Sequence, residues 1–120
     1  MNIAMQTTLE KLQELNRLVQ EGHILDAFEK YYHDDVAMQE NEGEPTLGKE
    51  ANFQREVDFV AKVKNFRATP LKVSAGDNFS FVEWDYDYQH EEWGPRQYRQ
   101  VSVQEWQDGR IVREKFYYAN

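Results

Sequence analysis

A chain of 120 residues, 40% hydrophobic and 14% aromatic, is long enough for one real core and too apolar to stay disordered. Its 22 acids against 14 bases leave a net charge of −8 with no local Lys/Arg cluster, which argues against nucleic acid and anionic membrane as partners. There is no cysteine, so disulfides and thiolate metal sites are excluded, and no apolar run is long enough for a transmembrane helix.

The opening "MNIAMQTTLEKLQEL" turns charged and amphipathic at once and carries no signal-peptide pattern, so a soluble, cytoplasmic protein is expected. From Thr7 to Gln20, Leu9, Leu12, Leu15, Leu18 and Val19 fall at helical spacings, with Thr7 or Thr8 as cap and Gly22 as stop. A second helix is predicted from about Ile24 to Tyr32, burying Leu25, Phe28 and Tyr32, with His33 and Asp34 pairing at its C-terminus. A short strand, Val36–Glu40, ends on a carboxylate before a loop containing Gly43, Pro45 and Gly48. The third helix spans roughly Lys49–Val63, with Phe53, Val57, Phe59 and Val60 as its apolar set.

Beyond that helix the period becomes twofold. "FRATPLKVSA" reads as a strand interrupted or started late by Pro70, and "GDN" as a hairpin turn with Asp77 and Asn78 suited to positive φ. "FSFVEWDYDYQH", "RQYRQVSVQEW" and "RIVREKFYYA" are three further strands, the last two joined by the turn "QDGR". Helices first and an antiparallel meander after them make the chain α+β: a single domain over residues 1–120, one curved sheet wrapped around its helices. Alternation alone buries Trp84, Tyr86 and Tyr88 and exposes Glu83, Asp85 and Asp87. The histidines, His23, His33 and His90, lack metal-ligand spacing, and no P-loop, dinucleotide fingerprint or nucleophile elbow occurs. Neither a metal nor a cofactor is expected.

In order and spacing, "EGHILDAFEKYYHDDV", the glycine of "TLGKEA" and "WQDGRIVREKFYY" resemble the nuclear transport factor 2-like superfamily, in particular SnoaL-like proteins and ketosteroid isomerases. The resemblance covers nearly the whole chain. It implies a cone-shaped half barrel, with N-terminal helices packed in the concave face of a curved antiparallel or mixed sheet. It further implies a small-molecule pocket inside and a homodimer through the outer sheet face. The fold hosts isomerases, cyclases, dehydratases, epoxide hydrolases and plain binding modules.

Glu40 falls where a ketosteroid isomerase has its general base, and the resemblance therefore makes it the catalytic carboxylate, with Asp85 as a second acid or orienter. The oxyanion donors of that enzyme are absent, since Leu15 and Ser102 stand at their positions. The terminal aspartate of many SnoaL-like cyclases is replaced by Ala119 and Asn120. The resemblance turns Phe79, Phe81, Glu83 and Asp85 to the cavity, the opposite of the alternation. On the next strand it turns Gln100, Ser102, Gln104 and Trp106 inward. The expected pocket follows that parity: Met38, Phe53, Phe81, Glu83, Ser102, Gln104, Trp106, Glu114 and Tyr118. Trp84, Tyr86, Tyr88, Val101 and Val103 then form the dimer patch.

The expected function is cofactor-independent isomerase-, cyclase- or hydratase-like chemistry on a small hydrophobic or neutral organic molecule. A pocket so rich in acids should also favour neutral or cationic ligands over anions. The alternative is a non-catalytic ligand-binding or dimeric interaction module.

Overall fold

Thr7 opens the first helix through a reciprocal cap: its hydroxyl accepts from the Glu10 N–H, and the Glu10 carboxylate accepts from its own N–H. The computed structural model of the chain describes residues 6–119; the first five residues of the opening stretch and Asn120, at the missing terminal aspartate, lie outside the described residues. Helix α1 (Thr8–Gln20) buries Leu12, Leu15 and Asn16, and α2 (Ile24–Tyr31) buries Ala27, Phe28 and Tyr31. No described helix is long and apolar enough to cross a membrane.

Tyr32 is already extended, so β1 (Tyr32–Glu40) begins four residues earlier than its apolar pattern suggests. The expected His33–Asp34 pair does not form. His33 lies in the strand, and its Nδ1 accepts from the Asp35 N–H at 3.0 Å. A two-residue strand, β2 (Thr46–Leu47), was not expected; it pairs with β1 and leads to Gly48, whose φ of 90° favours glycine. Helix α3 (Lys49–Lys62) follows.

Strand β3 (Val63–Ala75) continues through Pro70 with a register shift just after it, between Pro70 and Lys72; it is the sheet edge, where a missing N–H costs little. The "GDN" turn leads into β4 (Phe79–His90) without positive φ at Asp77 or Asn78; Gly76 N–H instead closes onto Phe79 O at 2.9 Å. Strands β5 (Gly94–Gln107) and β6 (Arg110–Tyr117) meet at Asp108 and Gly109, both left-handed (φ 54° and 78°), as a two-residue hairpin requires.

The six strands form an open mixed sheet in the order β2-β1-β6-β5-β4-β3, with β1 parallel to β6 and the other pairs antiparallel. Leu12 and Leu15 of α1 and Phe28 of α2 pack in its concave face against Val36, Val82, Trp84, Trp106 and Ile111. The architecture is the α+β cone.

Register decides which side chains enter the cone. Three residues, 91–93, connect β4 to β5, so Trp84 pairs with Gln100, Val82 with Ser102 and Ser80 with Gln104. Cross-strand neighbours share a face. With Gln100, Ser102 and Gln104 buried, the even-numbered residues of β4 are inside as well. Phe79, Phe81, Glu83 and Asp85 therefore lie on the outer face, and the simple alternation, not the parity taken from the resemblance, describes this strand.

Strand β6 adds a second adjustment. Trp106 pairs with Ile111 but Glu105 with Arg113, so Val112 is an extra, unmatched residue. This bulge brings Glu114 opposite Gln104 and turns it inward.

Candidate functional site

The cone encloses a cavity of about 310 Å³, within the range of small-molecule sites. Its wall is largely apolar and aromatic, with Leu15, Phe28, Met38, Phe59, Phe66, Trp84, Tyr86 and Phe116 from seven elements. Polar groups enter from Asn16 on α1, Glu56 on α3, Tyr32 on β1, Gln100, Ser102 and Gln104 on β5, and Glu114 on β6.

Glu114 is the most enclosed acid, 2% exposed. Tyr32 Oη donates to its Oε1, and Gln104 Nε2 donates to Oε2 at 2.8 Å. Gln104 Oε1 in turn accepts from Ser80 Oγ, and Ser80 Oγ accepts from Trp106 Nε1 at 2.8 Å. This network runs from the cavity lining at Tyr32, Glu114 and Gln104 into the core at Ser80 and Trp106, and it fixes the Glu114 rotamer. Burial pushes the Glu114 carboxyl up to about 7; the hydrogen bonds from Tyr32 and Gln104 oppose the shift, and the charge of Glu56 adds to it.

Glu56, which the sequence reading passed over, is also pushed to about 7 by burial, with Arg55 opposing and Glu40 reinforcing. Two carboxyls that interact and titrate near neutrality thus share one apolar cavity. Tyr86, on the same wall, is held strongly in its neutral phenol form by burial and by neighbouring Tyr98 and Glu114, so it can serve only as a neutral O–H. Asn16 Oδ1 is buried with no hydrogen-bond partner among the described residues, in a residue that lines the cavity.

Glu40 stands at the mouth. Its side chain is 48% exposed, and Arg55 Nη2 meets its Oε2 at 2.8 Å while Tyr118 Oη donates to Oε1 at 3.0 Å. Arg55 Nη1 also donates to Thr46 Oγ1 at 2.9 Å, so the mouth cluster ties β1, β2, α3 and the end of the chain together. An ion-paired acid in contact with water is a weaker base candidate than Glu114, since desolvation is what raises a carboxylate toward neutral pH.

Of the residues expected in the pocket, Met38, Ser102, Gln104 and Glu114 line it together with Glu40. Trp106 is buried beneath the floor as a donor to Ser80, and Tyr118 reaches only the mouth. Phe53 packs behind the cavity against Phe28. Phe81, Glu83 and Asp85 are corrected to the outside by the β4 register, which opposes Asp85 to Arg99 and Glu83 to Val101. Trp84, Tyr86 and Tyr88, expected in a dimer patch, are inside: Trp84 and Tyr86 line the cavity, and Tyr88 is buried against Phe59. Among the described residues, no three His, Asp or Glu side chains converge to hold a metal ion.

Among curated protein sequences none matches the chain. Solved structures do. A proposed SnoaL-like polyketide cyclase from Mesorhizobium loti is 24% identical, covering 94% of this chain and 100% of that one with a TM-score of 0.80. An LEH-like epoxide hydrolase from M. tuberculosis is 15% identical over 93% of this chain and 82% of that one, TM-score 0.77. A protein of ketosteroid isomerase-like fold from Catenulispora acidiphila, solved in complex with trimethylamine, is 16% identical over 94% and 88%, TM-score 0.76. At these identities the likeness establishes the fold and no activity. The sequence model of the SnoaL-like domain matches residues 12–114, and the chain belongs to that family.

Proposed function

We propose that this SnoaL-like pocket carries out cofactor-independent proton transfer on a small organic molecule, with Glu114 as the base. The observation that carries the reading is a carboxyl at the floor of an apolar cavity, held by two donors and poised at about 7. At neutral pH such a group is partly ionised, so it can take a proton from carbon and return it elsewhere, which is the balance of an isomerisation. The C–H electron pair moves into the adjacent carbonyl, whose developing negative charge the Tyr86 phenol is suited to meet. When Glu114 is protonated, Tyr32 has only to rotate its hydroxyl from donor to acceptor.

The rival reading is a non-catalytic binding module, favoured by the fact that both Glu114 oxygens already have donors. Exchange separates the two. A panel of cyclic and open-chain ketones, with and without an amino group, is incubated in D2O with the protein, and deuterium incorporation is followed by NMR. Catalysis predicts that at least one ketone exchanges about 10²- to 10⁴-fold faster with the native chain than with Glu114→Gln. Equal exchange across the whole panel would leave only the binding module. The trimethylamine complex of the Catenulispora relative suits a pocket lined with acids, and bears on which molecules to test.

A further inference from the structure

Charge inside the cavity does not balance. Four carboxyls border it: Glu40 on β1, Glu56 and Asp58 on α3, and Glu114 on β6. The bases that face them are Arg55 on α3 and His90 on β4; the remaining titratable groups are the tyrosines of β1, β4 and β5. Arg55 is bound to Glu40 and Thr46, and Asp58 is paired with Lys62. The His90 ring is stacked on Trp93 at 3.7 Å, and its Nδ1 accepts from the Glu92 N–H, an arrangement that needs that nitrogen unprotonated. Glu56 and Glu114 are therefore left without an ion-pair partner among the described residues, in a cavity whose walls are aromatic rings.

Taking a carboxylate out of water without a partner is expensive, and a ligand that supplies the partner recovers the cost. Aromatic faces attract the same kind of group. Asn16 Oδ1, buried without a hydrogen-bond partner among the described residues in a side chain that lines the cavity, asks in addition for a hydrogen-bond donor. A neutral carbon acid satisfies none of these three demands; an anion worsens the first.

Resting on the reading of the cavity as a small-molecule site, we infer that its ligand is a protonated organic amine, the ammonium serving as counter-charge to Glu56 and a ligand N–H meeting Asn16 Oδ1. Because the free acids titrate near 7, an ammonium ion competes with protons for them, and its affinity falls as pH drops. Glu56 then acts as the charge anchor and leaves Glu114 for the proton-transfer step.

Calorimetry with cyclohexylamine, cyclohexanol and cyclohexanecarboxylate, which share one ring and differ in charge, tests this without any turnover. Near pH 8 the amine should bind at least about tenfold more tightly than the alcohol, with the carboxylate weakest; the amine alone should lose about tenfold or more by pH 6, as one acid of pKa near 7 becomes protonated. Glu56→Gln should remove most of the amine's advantage and leave cyclohexanol unchanged. Asn16→Leu should weaken cyclohexylamine severalfold but not its N,N,N-trimethyl derivative, which has no N–H. Equal affinity for amine and alcohol, tighter binding of the carboxylate, or no binding of any of the three overturns the inference. The wild-type pH profile still decides if a variant fails to fold. Loss of amine selectivity together with Glu114-dependent deuterium exchange would sink only this inference. Selective amine binding with no exchange would sink only the proton-transfer reading.

Discussion

At Glu114 burial and hydrogen bonding pull in opposite directions, and burial wins. The carboxyl titrates near 4.5 when unfolded and at about 7 in the fold, so between those values the folded state keeps a proton that the unfolded chain has released. Its contribution to stability is complete below about pH 4.5 and is lost as the pH rises through 7, a change on the order of 3 kcal/mol. Thermal unfolding should therefore show the native chain losing more stability than Glu114→Gln between pH 5 and 8, with Glu56 giving the variant a remaining slope. Parallel curves would mean that Glu114 titrates as it does in the unfolded chain. Glu40 is the control for catalysis. Its carboxylate is half in water and bound to Arg55, so Glu40→Gln should keep deuterium exchange within about threefold while Glu114→Gln loses about 10² or more. A full loss at Glu40 would restore the base expected from the resemblance. Glu56 had a readable signal that a search for apolar residues missed: Asn52, Glu56 and Phe59 follow the helical period and line one face of α3 toward the cavity.

Elements carried more of the fold in their sequence than single residues carried of the site. The helix periods, the two-residue "DG" hairpin and the antiparallel meander of the last four strands were legible because each depends on local pattern and turn chemistry. What enters the cavity depends on register, which is partly non-local. The odd-length connection after His90 sets β4 and β5 in phase, and could have been counted from the sequence. The Val112 bulge that aims Glu114 inward leaves no local mark, since an extra valine in a β-rich run looks like any other strand residue. The early start of β1 was hidden for the same reason: "YHDD" is polar, and the shifted register between Tyr32 and Ala37 lets the two aspartates face water. The junction of β1, β2 and α3 rests on Asn52, 2% exposed, whose Nδ2 donates to Thr46 O at 2.9 Å and Gly48 O at 2.8 Å. Asn52→Ala removes both side-chain bonds and leaves Thr46 O without its amide donor, while Gly48 O keeps the Asn52 backbone N–H at 3.2 Å, so chemical denaturation should register a loss of about 1–2 kcal/mol. A loss below about 0.5 kcal/mol would mean that water replaces the amide there.

For the whole molecule, the reversal of β4 moves the question of assembly to different side chains. Phe81, Val101 and Tyr117 remain 38–40% exposed on the convex face, where Phe81 is opposite Val103 and Val101 opposite Tyr117. Phe79 stacks edge-on with Phe81 and extends the strip toward the end of the sheet. Lys72 lies opposite Glu83 on one side of it, and Glu105 pairs with Arg113 on the other, so the strip has a polar rim. A contiguous apolar strip of this kind on a sheet is the surface expected of a self-association site. We propose a homodimer through this face, in which the strip is buried against its twofold-related copy. Sedimentation velocity at micromolar concentration should give twice the 14.3 kDa chain mass. Phe81→Glu with Val101→Glu should give a folded monomer whose cavity still binds, because neither side chain lines the pocket. Salt gives a check that no mutation can confuse. Each chain carries a net charge of −8, so bringing two together is opposed at low ionic strength, and added salt screens that repulsion while leaving apolar contact intact. Dimerisation should therefore strengthen from about 20 mM to 200 mM salt. Weakening over that range would assign the contact to rim ion pairs such as those of Glu83 and Arg113, and a chain that stays monomeric at every salt concentration would leave the convex strip free for a different partner.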